Sequence, residues 1–286
     1  MAEMRHPELE GVLREERELV LALGGFALEF AGGILVTNER IPVPRFNFVQ
    51  ELSLSRERMS AFFEKALDHY FQRAIRPEFH LPEPAPAHLA AVLEHYGFSP
   101  RAEPRSILLC PRSVPLPPPP PGFSARAAAP GELDIVVDFL AAPRERDELR
   151  RGLEVMMEHP NPDERLVPAI AFDGRAVASA ALLHRHRARW GIHAVATQPS
   201  ARGRGAASAL VLAALDGIIP AAEGPVAIWA DHARIRRRLE ALGFHEIARR
   251  RVFQLDPKAE LHLPPPGPTP GPLWRPPRRP VASEAP

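Results

Sequence analysis

Apolar positions in residues 123–256 fall into short runs that alternate with stretches spaced by three and four. Continuous or alternating apolar runs predict strands, and the wider spacing predicts helices packed on one face. Phe123–Ala127 suits a short strand. Pro130-Gly131 opens a helix that runs through Leu133, Val136, Val137 and Leu140, and a further helical pattern covers about Glu145–Glu158. Leu166–Phe172 and Ala176–Leu183 flank Asp173-Gly174, a dipeptide that suits a hairpin turn. Trp190–Thr197 is the next strand, and Gly203–Ile219, small and apolar throughout, a well-buried helix. Pro225–Ala230 follows as a short buried strand, Ala233–Leu242 as a helix closed by Gly243, and His245–Leu255 as a last strand or hairpin. The order β-α-α-β-β-β-α-β-α-β is that of an α/β fold.

The preceding hundred residues repeat part of this pattern. Ala27–Leu35 mirrors Ala169–Val177, an apolar strand that turns at glycine, and Leu93-Glu-His-Tyr-Gly-Phe98 mirrors Leu239-Glu-Ala-Leu-Gly-Phe244. Carried forward, the second register pairs Ala102 with Ala248, Arg105 with Arg251 and Leu109 with Leu255. Matched order at both ends of a region points to duplication of one fold.

Composition separates the two regions. Of 35 prolines, many crowd into Pro115–Pro121 and the stretch after Leu263. The expected organisation is therefore a first domain at 8–112, a polyproline II spacer at 113–122, a second domain at 123–256 and a disordered Pro-rich tail at 257–286. Arg275–Arg279 in the tail reads as a solvated segment. A formal charge of +1 argues against binding nucleic acid through bulk electrostatics. No apolar stretch reaches the roughly 20 residues that span a bilayer. The charged N-terminal segment reads as a helix, and the lone Cys110 suits a reducing compartment. A soluble cytoplasmic protein is expected, without membrane or nucleic-acid partners.

The stretch with the most chemistry is Val195-Ala-Thr-Gln-Pro-Ser-Ala-Arg-Gly-Arg-Gly-Ala-Ala-Ser208, where an apolar strand passes through a Gly-Arg loop into a helix of small residues. Glycines at that junction let backbone N–H groups converge without a Cβ in the way. The helix N-terminus adds unpaired donors and partial positive charge, and Arg202 and Arg204 are placed to add charge-assisted contacts. Such a loop holds a pyrophosphate. It lacks the Gly-Lys-Ser/Thr of a nucleotide P-loop and the G-x-G-x-x-G of a dinucleotide site.

In these residues the sequence resembles the GNAT superfamily of acyl-coenzyme A-dependent acyltransferases, whose loop reads Q/R-x-x-G-x-G/A. Arg202-x-x-Gly205-x-Ala207 satisfies each fixed position, and the resemblance covers about residues 123–256. It implies tandem GNAT-like mixed sheets flanked by helices, the second splayed open between its fourth and fifth strands. It further implies acetyl-coenzyme A in that cleft, its pyrophosphate on Arg202, Gly203, Arg204, Gly205, Ala206, Ala207 and Ser208, and its pantetheine along Val195, Ala196 and Thr197. The acceptor amine would attack the thioester directly, with backbone N–H groups at the splay polarising the carbonyl.

Direct transfer needs a base for the ammonium and a proton for the departing thiolate. Many superfamily members supply the proton from a Tyr four residues before the Gly of the Leu-Gly-Phe ending. Here that residue is Leu239, and the second region has no Tyr. His193 is the candidate base, ahead of His232, His184 and His186. His184-Arg-His-Arg187 reads as a surface loop rather than a metal site. Asp231 is expected to cap the following helix, with binding of an acceptor amine the alternative. Arg234, Arg236, Arg237 and Arg238, and likewise Arg249–Arg251, read mainly as solvated basic faces, with some contact to the coenzyme A 3′-phosphate open.

In the first region Phe46–Val49 takes the place of the fourth strand. The segment after it has no glycine and carries Glu51 and Glu57, which would repel a pyrophosphate. That region reads as a degenerate GNAT-like half that shapes the acceptor side. Arg45 and Asn47 either reach a ligand or serve the local backbone. The acceptor is a small-molecule or protein amine. A module that binds acyl-coenzyme A without turnover is the competing expectation.

Overall fold

The computed structural model describes residues 8–30, 32–113, 115–141, 145–158, 164–220 and 224–255. The Pro-rich tail, including Arg275–Arg279, lies outside the described residues. The first half contains α1 (Leu9–Ala22), β1 (Phe26–Phe30), β2 (Gly33–Thr37), β3 (Phe48–Gln50), α2 (Arg56–Phe71), β4 (Glu78–Pro82), α3 (Ala87–His95), β5 (Phe98–Pro100) and β6 (Arg105–Cys110). The second contains β7 (Phe123–Ala127), α4 (Leu133–Leu140), α5 (Arg146–Glu158), β8 (Glu164–Asp173), β9 (Ala176–His186), β10 (Arg189–Thr197), α6 (Ala206–Ala213), β11 (Val226–Ala230), α7 (Ala233–Glu240) and β12 (His245–Leu255). A π-helical turn, Ala214–Ile218, continues α6.

The elements of the second half follow the order their patterning predicts, because each buries the stripe that defines it. Leu133, Val136, Val137 and Leu140 are all buried on α4. Asp173 pairs with Ala176 across the β8–β9 hairpin, with Gly174 at φ 59 in the turn. The repeat holds in three dimensions. β1 and β2 form an antiparallel hairpin, as do β8 and β9. β3 lies parallel to β4, as β10 does to β11. Gly97 and Gly243, at φ 83 and 96, turn the chain from α3 into β5 and from α7 into β12.

Two tandem sheets were expected; the strands instead form one twelve-stranded sheet, in the order β1-β2-β3-β4-β12-β6-β11-β10-β9-β8-β7, with β5 also on β12. The halves exchange their last strands. β6 crosses to lie antiparallel on β11, pairing Ser106 with Ala230 and Cys110 with Val226. β12 begins beside β6 and ends between β4 and β5, pairing His80 with Val252 and Phe98 with Leu255. Every residue of β6 is buried, as expected of a strand with neighbours on both edges. Strand propensity marks β6 and β12 but does not choose their partners.

Helix α1 ties the halves together. Val12 and Leu13 pack on Ile107, Leu109 and Ala227, while Leu19, Val20 and Leu23 join a core with Phe46, Val136, Leu149 and Ile170. Its glutamates Glu15 and Glu16 are buried among these apolar neighbours. Residues 115–121, expected as a spacer, are not free of the fold: Leu116 packs on the core that includes α6, because a large apolar side chain among prolines still gains by burial. Among the described residues, no helix is long and apolar enough to cross a membrane.

Candidate functional site

Strands β10 and β11 pair in parallel only at Trp190–Val226, Gly191–Ala227 and Ile192–Ile228. Beyond Ile192 they part. A bulge between His193 and Ala196 breaks the register of β10 on β9, and Ala194 adopts φ 51. The ladder thereby leaves Ala194 and Val195 unpaired on the β9 side while β11 turns away on the other. The cavity that opens, about 1040 Å³, runs from the Gly-Arg loop to the first half.

At one end of the cavity, Gly203 and Gly205 take φ 77 and 110, a left-handed conformation that favours glycine. The first backbone bond of α6 is from Ala209 N–H to Gly205 C=O. The N–H groups of Ala206, Ala207 and Ser208 thus have no acceptor within the helix. They stand at its positive end beside Arg202, whose Nε donates to the Thr197 carbonyl. Val195, Ala196, Thr197, Arg202, Gly203, Gly205, Ala206, Ala207 and Ser208 all line the cavity. Arg204 does not. Its guanidinium donates to Asp173 at 2.6 Å and lies over the Phe123 ring, since the nearest carboxylate is on the hairpin behind the loop.

His193 also lines the cavity, with its side chain 10% exposed. Its ring stacks on Trp229 of β11, centroids 4.6 Å apart. Nε2 lies 2.9 and 3.1 Å from the carboxylate oxygens of Glu15. His184 Nδ1 reaches the same carboxylate at 2.9 Å. The surface-loop expectation for His184 is therefore wrong. It lies in β9, completely buried, because β9 continues three residues past the apolar run and the Glu15 carboxylate compensates the polar ring there. Burial pushes the Glu15 carboxyl up, but the two imidazoles outweigh it and hold it at about 2.

Glu15, His184 and His193 bring one potential metal-ligand atom each within 4.8 Å of one another. A metal-bound His donates its second ring N–H to an acceptor, and His184 Nε2 is buried with no partner among the described residues. A neutral ring donating from Nδ1 to Glu15 leaves only a lone pair at Nε2. The geometry is that of a His–Glu–His hydrogen-bond network.

The far wall comes from the first half. Glu16, Arg45, Phe46, Arg101, Glu103 and Arg105 line it, facing Asp231 and His232. Asp231 does not cap α7. It accepts from Arg105 Nε at 2.6 Å, and Glu103 takes the Ala233 N–H instead. Asn47 serves the backbone, binding Asn38 N–H and the carbonyls of Ile41 and Val43. Arg45 keeps to the cavity wall and donates to the Leu140 carbonyl. Arg234 and Arg238 line the cavity, whereas Arg236 pairs with Glu246. Of Arg249–Arg251, Arg249 is exposed as expected, beside Glu246, but the other two are not on a solvated face. Arg250 is buried on Glu16 and Arg251 pairs with Glu83, because strand exchange carries them against the first half. Leu239, in the place of the Tyr that many superfamily members carry, is buried and lines the cavity.

A parallel strand pair that splays beside a bulge, opposite a glycine loop at a helix N-terminus, agrees with the comparison by sequence: residues 133–244 match the model of the acetyltransferase (GNAT) family. This segment is a GNAT-family domain. No curated protein matches the chain. Its overall fold is similar to that of a GCN5-related N-acetyltransferase from Kribbella flavida, at 15% identity and a TM-score of 0.59, over 85% of this chain and 96% of that one. A GCN5-related N-acetyltransferase from Sphaerobacter thermophilus gives 18% identity and a TM-score of 0.57 over 86% and 84%. A tandem GNAT protein from the clavulanic acid biosynthesis pathway gives 16% and 0.54 over 79% of each chain. The chain thus shares its overall fold with these proteins, and acyl-coenzyme A is the co-substrate class that goes with the GNAT family. Within the first half, Glu51 occupies a left-handed position, φ 57, just as Ala194 does in the second. Its carboxylate pairs there with Arg17 of α1.

Proposed function

We propose that this protein is an N-acyltransferase that moves an acetyl group from acetyl-coenzyme A to a primary amine, with His193 as the base. The observation that carries this reading is a single cavity with three parts: the free N–H groups of the α6 N-terminus, the splayed β10 edge and the His193 ring. The pyrophosphate sits on Arg202–Ser208 and the pantetheine runs along Val195–Thr197. His193 takes one proton from the acceptor ammonium. The freed amine forms the C–N bond as the C–S bond breaks, and a second nitrogen proton passes to the thiolate. No Tyr is needed for that balance. We read the first half as a degenerate GNAT-like unit whose Glu51 and glycine-free α2 entrance exclude a pyrophosphate. The domains then run 8–112 and 123–256, the first forming the acceptor wall for a small-molecule or protein amine. We read the protein as cytoplasmic, consistent with its one free cysteine, Cys110.

Ala207→Glu tests the loop. A helix tolerates Glu in its first turn, yet the carboxylate would stand where the pyrophosphate lies. Acetyl-coenzyme A titrated by calorimetry should bind this variant at least ~100-fold more weakly than wild type, about 2.7 kcal/mol. Equal affinity would remove the assignment. Leu239 in place of a Tyr favours one second reading, a binding module without turnover. Thiol release over a panel of amines separates the two, since binding without release selects the module.

A further inference from the structure

We propose that Glu15, carried by the first half, is a positioning residue for the second half's reaction: it accepts the hydrogen bond of His193 Nε2–H, holding the proton on that nitrogen, and so leaves Nδ1 as the lone pair that meets the acceptor. The inference rests on the reading of His193 as base and deepens it. Helix α1 threads across the sheet, and Glu15 reaches His193 from 178 positions away in the chain. Both oxygens lie within 3.1 Å of Nε2, and the carboxylate is buried. A carboxylate only accepts, so the ring atom facing it must carry the hydrogen. The hydrogen bonds to Glu15 are both made at Nε2, and the residue lines the cavity.

Three elements face the ring. Helix α1 supplies the charged Glu15, β9 the titratable His184 and β11 the uncharged Trp229. When His193 accepts the ammonium proton, the imidazolium forms beside a carboxylate and against an indole face, and both stabilise a cation. His184 occupies the second hydrogen-bonding position on Glu15 Oε1, which fixes the carboxylate in place. Gly191 makes room for the pair: a Cβ built on it would overlap both His193 Nε2 and Glu15 Oε2. The first half is thereby part of the catalytic apparatus although it holds no coenzyme loop of its own.

The test is ¹⁵N NMR of the histidine rings in the full chain, with Glu15→Gln beside wild type. Wild type should show His193 as the Nε2–H tautomer at pH 8. A wild-type Nδ1–H tautomer would overturn the proposal without any variant. In Glu15→Gln, kcat should drop at least tenfold while KM for acetyl-coenzyme A stays within about threefold. An unmoved kcat in a folded variant would refute it. Tight binding of added Zn²⁺ that shifts both the His184 and His193 rings would also refute it, in favour of a metal site. A wild type that shows the tautomer yet transfers no acetyl group would count against the acyltransferase reading alone.

Discussion

Arg105 Nε donates to Asp231 Oδ1 across 2.6 Å, joining the exchanged strand β6 to the end of β11 at the cleft. Arg101 stands 3.4 Å from the other oxygen. Burial raises the Asp231 carboxyl, yet Arg105 more than offsets this and holds it below its ordinary range. The Arg105 side chain is only 10% exposed, so deleting its partner's charge leaves a guanidinium short of compensation. Asp231→Asn should cost about 1–2 kcal/mol of stability. Chemical denaturation with an unchanged m-value would register it, and an unchanged midpoint would show the pair to be ornamental.

Gly205 carries a second constraint. It sits at φ 110, and a Cβ there would lie 2.8 Å from Pro120 Cβ. The Pro-rich segment is thus the floor of the Gly-Arg loop. Gly205→Ala must strain the backbone and displace Pro120. It should destabilise the protein by about 1–3 kcal/mol and weaken acetyl-coenzyme A binding. Gly203→Ala, at φ 77 with nothing within 4 Å of its Cβ, carries only the backbone strain. Its loss of thermal stability should be the smaller of the two, and the reverse order would disprove the packing argument.

These positions also mark what was legible in the chain. The loop was legible because glycine conformation and helix-end donors are local properties of a few neighbouring residues. The order of elements in the second half was legible for the same reason, through spacing. The exchange of β6 and β12 was not, since Arg105–Cys110 and His245–Leu255 read as strands whichever edge they join. Glu15 was missed because Arg14-Glu-Glu-Arg-Glu18 looks solvated, and its partners lie in β9 and β10. A signal did exist: Glu16 falls four residues after Val12 and four before Val20, inside the apolar stripe of α1. Charged residues on a buried stripe imply partners, but their identity comes only with the fold.

Acid should unfold the protein through buried carboxylates. Glu78 is buried beside His80 at 3.1 Å and Arg101 at 2.5 Å. Although burial raises its carboxyl, His80 and the arginines hold it at about 2. A folded pKa below the unfolded value adds stability that is complete above about 4.5 and lost as pH falls towards 2. The shift corresponds to about 3 kcal/mol. Wild type should therefore exceed Glu78→Gln by that order in urea melts at pH 7, and the gap should close by pH 2. A gap independent of pH would mean that Glu78 acts through packing and not through its charge.

Gly191 supplies the sharpest check on how the halves cooperate. It pairs with His184 on β9 and Ala227 on β11, within the ladder and away from the loop. A methyl group there cannot enter without moving Glu15 or His193, and both are held by neighbours that leave little slack. Gly191→Ala should cost about 1–3 kcal/mol by overpacking. Its effect on turnover should exceed what that loss explains, because the fully folded fraction would still carry a displaced His193. Stopped-flow thiol release from folded protein should fall at least tenfold while acetyl-coenzyme A affinity holds within about threefold. If affinity and turnover fell together, the methyl would be closing the cleft itself, and the separation of the coenzyme loop from the Glu15–His193 pair would be wrong.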